Sequence, residues 1–255
     1  MLVAAIQHNI VWTNRQANFV ALEILIAKAA ENGARLIVLS EMFSTGFVVD
    51  DLSIAEPEGG PSSDFLANQA KKFGVWVAGS CPELSPQDND KRPFNTLVVA
   101  SPTGQCNRYR KIHPFSYGNE DDHFRSGSEL VTIEIEGFRC SLFVCYDLRF
   151  ATEFWNLATK TDVYIIPANW PASRIDHWTA LLKARAIENQ AYVIGCNRVG
   201  VGGNLSYNGQ SRIFSPTGDT LAEGGDTEQI LYAEVSAKVV REVRAEFPFL
   251  QDRNE

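Results

Sequence analysis

The chain is short of the features that would place it outside the cell, on nucleic acid or in a membrane. Its five cysteines (Cys81, Cys106, Cys140, Cys145 and Cys196) are odd in number and contain no CxxC pair, which argues against a disulfide framework and a zinc cluster alike. Reduced thiols and no metal are expected. Positive charge is also scarce: Lys+Arg 23 against Asp+Glu 31 leaves a net charge of −8, a sign that repels phosphate backbones and anionic membrane surfaces. A nucleic acid partner is therefore not expected. The longest apolar runs, such as 36–39 and 163–166, fall far short of the roughly 18 to 20 residues a membrane helix needs, so no membrane partner is expected either. The opening residues 1–8 lack a basic segment and turn polar at Gln7-His8, so they read as a first strand and not a signal peptide; the expectation is a cytoplasmic protein. GxSxG, Walker A and GxGxxG motifs are all missing, Gly200-Val201-Gly202-Gly203 reads as a glycine-rich loop, and no cofactor is implied.

What is present is a core. With 45% apolar residues, 255 residues suffice to bury about three quarters of the unfolded surface, and no Ser/Gly/Pro tract marks a linker, so one domain spanning 1–255 is expected. Residues 2–8 read as a strand. Thr13-Asn14-Arg15-Gln16 has the form of a capping box, opening a helix whose Phe19, Leu22, Ile26 and Ala29 recur at helical spacing up to Asn32-Gly33. A short strand at 35–39, a helix near 62–73 and a strand near 75–80 complete a βαβαβ start. The middle changes character: 95–100 and 105–110 flank the turn sequence Ser101-Pro102-Thr103-Gly104, implying a hairpin. Val131, Ile133 and Ile135 alternate with polar residues, and 138–144 is a nearly continuous apolar strand. A strand at 162–166, a helix at 175–189, a strand at 192–196, a final hairpin and a helix near 236–246 follow. Helices mixed with hairpins suit two sheets between helical layers better than one doubly wound sheet, an α/β arrangement.

Cys145 stands where the apolar strand meets the polar Tyr146-Asp147-Leu148-Arg149. A strand-to-helix turn exposes a side chain, aims backbone N–H groups at whatever it attacks, and sets a thiol at a helix N-terminus that lowers its pKa. Cys140 and Cys196 sit inside strands and read as packing residues. A thiol nucleophile needs a base; His8, His113, His123 and His177 occupy no recognisable Cys-His context. Glu41 and Lys111, however, also follow strand-like sequence, where α/β architectures gather their sites, although each taken alone reads as a solvated loop charge.

Taken in order, Ser40-Glu41-Met42-Phe43, Tyr109-Arg110-Lys111 and Cys145-Tyr146-Asp147-Leu148-Arg149-Phe150 resemble the signature of the carbon-nitrogen hydrolase (nitrilase) superfamily. With Ala168-Asn169-Trp170-Pro171 and 184–193, the resemblance narrows to the bacterial omega-amidase branch. It implies a four-layer αββα sandwich and a homodimer. It also implies Cys145 as nucleophile, Glu41 as general base, Lys111 as oxyanion clamp with the Tyr146 N–H, and a second acid at Glu120, whose neighbours Asp121 and Asp122 compete for that place. Glu120 either orients Lys111 or positions substrate. Arg149 is a candidate for a substrate carboxylate or for an ion pair with Asp147 or Glu153; Phe43, Asn169 and Trp170 line a pocket or plug the core. The implied reaction is hydrolysis of the terminal amide of a small ω-amido 2-oxo carboxylate, such as 2-oxoglutaramate, to acid and ammonia. Alternatives are an N-carbamoyl amino acid or carbamoyl-polyamine hydrolase, or a catalytically silent binding member.

Overall fold

A computed structural model describes residues 1–86 and 90–253; residues 87–89 and 254–255 of the expected 1–255 domain lie outside the described residues. The first half builds β1 (Leu2–Gln7), α1 (Arg15–Glu31), β2 (Leu36–Val38), α2 (Pro61–Phe73), β3 (Trp76–Glu83), β4 (Phe94–Ala100) and β5 (Cys106–Arg110). α1 is capped by Asn14, whose side chain accepts from the Ala17 N–H at 3.0 Å. The expected Thr13 box is not made, because Thr13 takes a left-handed φ of 58° that leaves the capping place to the next residue. After the short α3 (Glu120–His123) come β6 (Thr132–Ile135), β7 (Phe138–Leu142), a 3-10 turn (Cys145–Arg149), α4 (Ala151–Leu157), β8 (Val163–Ala168), α5 (Ile175–Asn189) and β9 (Tyr192–Asn197). The chain closes with β10 (Val199–Gly202), β11 (Leu205–Asn208), β12 (Arg212–Phe214), β13 (Thr220–Glu223), β14 (Gln229–Glu234) and α6 (Ala237–Glu246).

Two six-stranded sheets result, ordered β14-β1-β2-β3-β4-β5 and β13-β12-β9-β8-β7-β6. In each, three central strands run parallel (β1-β2-β3 and β7-β8-β9) and the outer pairings are antiparallel. The two-residue period of a strand explains why β1 is apolar on both sides. Val3 and Ala5 face the other sheet, while Ala4 and Ile6 meet Leu22 and Ile26 of α1 and Leu66 and Ala70 of α2. On the far side Trp178, Leu182 and Ala186 of α5 and Phe154 of α4 cover the second sheet, which completes the αββα sandwich. The sheets touch directly: the thiol of Cys196 on β9 lies 3.3 Å from the carbonyls of Ile6 and Val38.

The closing hairpin differs from the simple one expected. β12 and β13 pair within the second sheet, but β14 then crosses over and runs antiparallel to β1, so the chain end ties the two sheets together. Among the described residues no helix is long and apolar enough to cross a membrane.

Candidate active site

Glu41, Lys111 and Cys145 come from different strands, and the sandwich brings them to one place. Glu41 follows β2, Lys111 follows β5 with its N–H still donating to the Asn95 carbonyl at 2.9 Å, and Cys145 opens the turn after β7. All are buried. The Lys111 ammonium lies 3.0 Å from Glu41 Oε1 and 2.7 Å from Glu120 Oε2. Asn95 Nδ2 donates to both carboxylates as well, at 2.8 Å to Glu41 and 3.0 Å to Glu120. Glu120 is further fixed by the Phe115 N–H at 2.6 Å, so Glu120, and neither Asp121 nor Asp122, is the acid that joins the cluster.

A buried cation between two buried carboxylates is tolerated only because each charge is paired and hydrogen-bonded. Burial opposes the Lys111 charge, yet Glu120 and then Glu41 outweigh it and hold the ammonium well above its usual pKa. Burial pushes the Glu120 carboxyl above its usual value against the pull of Lys111.

The Cys145 thiol departs from the sequence expectation. Burial, then the charge of Glu41, pushes it well above its ordinary pKa; Lys111 pulls the other way, and a hydrogen bond to Glu41 favours the protonated form. The expected lowering by a helix N-terminus is absent because only the five-residue 3-10 turn follows, and the desolvation of a buried thiolate dominates. At rest the group is a thiol beside a carboxylate that can take its proton as it attacks.

The backbone at Cys145 is left-handed, φ 46°, which costs a residue with a Cβ about 1–2 kcal/mol. Asp147 holds this turn: its carboxylate accepts the Val144 N–H at 2.9 Å, the Tyr109 hydroxyl at 2.8 Å and the His113 N–H at 2.9 Å. Asp147 is thereby occupied, and Glu153 lies 3.0 Å from His113. Neither is the partner of Arg149. Arg149 instead reaches His177 Nδ1 at 3.2 Å and stacks 4.8 Å from the Trp170 ring.

Cys145 lines a cavity of about 430 Å³ together with Glu41, Lys111, Tyr146, Arg149, Asn169 and Trp170. Phe43 does not line it. The ring is fully buried on the helical side of the first sheet, 6.3 Å from Phe19 and 6.1 Å from Phe65, because the turn after Glu41 sends it into the core. Asn169 lines the cavity but spends its side chain on the Glu41 carbonyl. Sequence reasoning missed Arg174 and the β10–β11 hairpin, whose Asn204, Leu205 and Tyr207 form another wall. The hairpin was legible. Gly203-Asn204, both at positive φ, form a two-residue loop between the paired Gly202 and Leu205, the composition such turns require.

The chain belongs to the carbon-nitrogen hydrolase family, which it matches over residues 2–245. It is 36% identical over 254 residues to a 2-oxoglutaramate amidase of Bacillus subtilis strain 168, covering 98% of this chain and 96% of that protein. An omega-amidase of Escherichia coli K12 is likewise 36% identical over 258 residues, covering 99% and 96%. The crystal structure of a CN-hydrolase superfamily protein of Xanthomonas campestris, with an arsenic adduct in its active site, superposes with a TM-score of 0.94 at 32% identity, covering 100% of this chain and 97% of that one.

Proposed function

We propose that the chain is one amidohydrolase domain that cleaves the terminal amide of small ω-amido 2-oxo carboxylates, with Cys145 as nucleophile. The observation that carries this reading is a buried thiol that shares the lining of one cavity with Glu41, Lys111 and two arginines, the Lys111 ammonium lying 3.0 Å from Glu41. Similarity to omega-amidases along nearly the whole chain supports it.

Glu41 takes the thiol proton as Cys145 Sγ bonds to the amide carbon, and negative charge moves onto the carbonyl oxygen. The Lys111 ammonium and the Tyr146 N–H, in a first turn that leaves N–H groups without intrahelical partners, hold that oxyanion. The tetrahedral species collapses as Glu41 returns the proton to the departing nitrogen, releasing ammonia and leaving a thioester. Glu41 then deprotonates a water that attacks the thioester; the C–S bond breaks, the thiol is reprotonated and the acid leaves. Glu120 acts through Lys111 as a positioning residue. Arg149 takes the substrate carboxylate in this scheme, and its stacking on Trp170 orients the guanidinium.

The reading includes a homodimer, supported by the family resemblance, and a cytoplasmic location, supported by five free thiols. Ammonia release across ω-amides, N-carbamoyl compounds and nitriles tests the function. Fastest turnover is expected for the 2-oxo ω-amide; preference for an N-carbamoyl compound would replace the reading with the carbamoyl hydrolase.

A further inference from the structure

Two arginines line the cavity, and among the described residues neither meets a carboxylate. Among the described residues Arg149 reaches the His177 imidazole and the Trp170 and Tyr146 rings. The Arg174 guanidinium stacks 5.5 Å from Phe115 and 5.9 Å from Tyr117, and among the described residues it has no hydrogen bond or ion pair. Phe115 and Tyr146 are themselves 4.9 Å apart, so a row of rings joins the two cations. Lys111 is already matched by Glu41 and Glu120; of the remaining charges lining the cavity, two are positive and one, Asp50, is negative. In a chain with a net charge of −8 the cavity is close to neutral, with Lys111, Arg149 and Arg174 offset by Glu41, Glu120 and Asp50.

Arg174 is also held at a set place relative to the chemistry. Its carbonyl accepts from Trp170 Nε1 at 2.8 Å and its N–H donates to the Pro171 carbonyl at 3.1 Å. The same short segment begins at Asn169, whose N–H donates to Glu41 Oε2 at 2.7 Å. Strand β11 of the missed hairpin packs on the turn that carries Arg174. It brings Tyr207, whose hydroxyl has no hydrogen-bond partner among the described residues and whose ring is backed at 4.6 Å by Arg198. An anchor tied to the general base by five residues sets the distance between a substrate's charged end and its amide carbon.

We propose that Arg174 is a second anion anchor, which together with Arg149 grips the 2-oxo carboxylate end of the substrate and rejects the α-ammonium of the corresponding amino acid. The proposal rests on the amidase reading above. A carboxylate with an adjacent keto oxygen offers acceptors to two guanidinium forks, whereas an ammonium offers donors alone and meets two like charges.

The test is steady-state kinetics of wild type, Arg174→Gln and Arg174→Lys on 2-oxoglutaramate, glutamine and pentanamide. In Arg174→Gln, KM for 2-oxoglutaramate should rise about 10- to 100-fold, the range of a charge-assisted hydrogen bond. Its kcat/KM ratio to pentanamide should fall by the same factor, the ratio to glutamine should narrow, and Arg174→Lys should lie between. Ratios unchanged from wild type, or equal losses on all three substrates, would overturn the proposal. A wild-type enzyme that prefers pentanamide or glutamine would instead overturn the 2-oxo carboxylate substrate of the proposed function.

Discussion

Asn169 grips Glu41 from the opposite sheet at two points: its N–H donates to Glu41 Oε2 at 2.7 Å, and its Nδ2 donates to the Glu41 backbone carbonyl at 2.5 Å. The Glu41 carboxylate is thus oriented by the end of β8 although it is carried by the end of β2. Asn169→Ala keeps the N–H contact and loses the side-chain one. Turnover should fall about 10-fold, the effect of one lost hydrogen bond of about 1.5 kcal/mol, with KM little changed. A variant with wild-type kcat would show that Glu41 needs no tether.

Cys145→Ala should abolish turnover and leave the fold intact, because it removes the atom that forms the acyl intermediate while keeping a Cβ at the same left-handed backbone position. Ammonia release and thermal unfolding measured side by side check both halves. Cys196→Ala is the control: it removes a thiol packed between the sheets, so it should lower Tm and leave the folded enzyme active.

Glu41→Gln should cost about 10²-fold or more in kcat, the scale of losing a general base, and Lys111→Ala about as much, the scale of removing one oxyanion donor. Because the two side chains are in contact and serve one constellation, the double variant should lose far less than the product of the single losses. Multiplicative losses in single-turnover rates would refute coupling.

His8 predicts an acid-sensitive window. Burial holds it down to about 4 from 6.5, against the carbonyls of Phe43 and Ile6, so the folded state keeps it neutral where the unfolded chain protonates it. Its contribution is fully present above pH 6.5 and is lost as pH falls from 6.5 to 4, about 3 kcal/mol in all. Asp147 runs the other way. Burial holds its carboxyl up to about 6, so its penalty grows as pH rises from about 4 to 6. Urea unfolding at several pH values should therefore show a shallower acid loss in His8→Gln than in wild type; parallel profiles would remove His8 as the cause.

Much of the framework was legible from neighbours along the chain. The helix expected at 175–189 is α5, the βαβαβ start is β1 to β3, and Glu41, Lys111 and Cys145 each stand just past a strand and meet in one buried cluster. Strand ends and helical periods are set by residues two to four apart, so the sequence by itself determined these elements and the polar breaks that end them.

Tertiary structure alone decided which side chains face the cavity and what charge they carry. Phe43 and Trp170 both follow strands, yet one is sent into the helical side of the core and the other to the cavity wall by turns that no local period encodes. Arg174 and Tyr207 join the site only because β11 packs on the turn before α5. The Cys145 thiol is pushed up where its sequence position suggests the reverse, because desolvation depends on everything packed around an atom, including residues from both sheets that lie far apart along the chain.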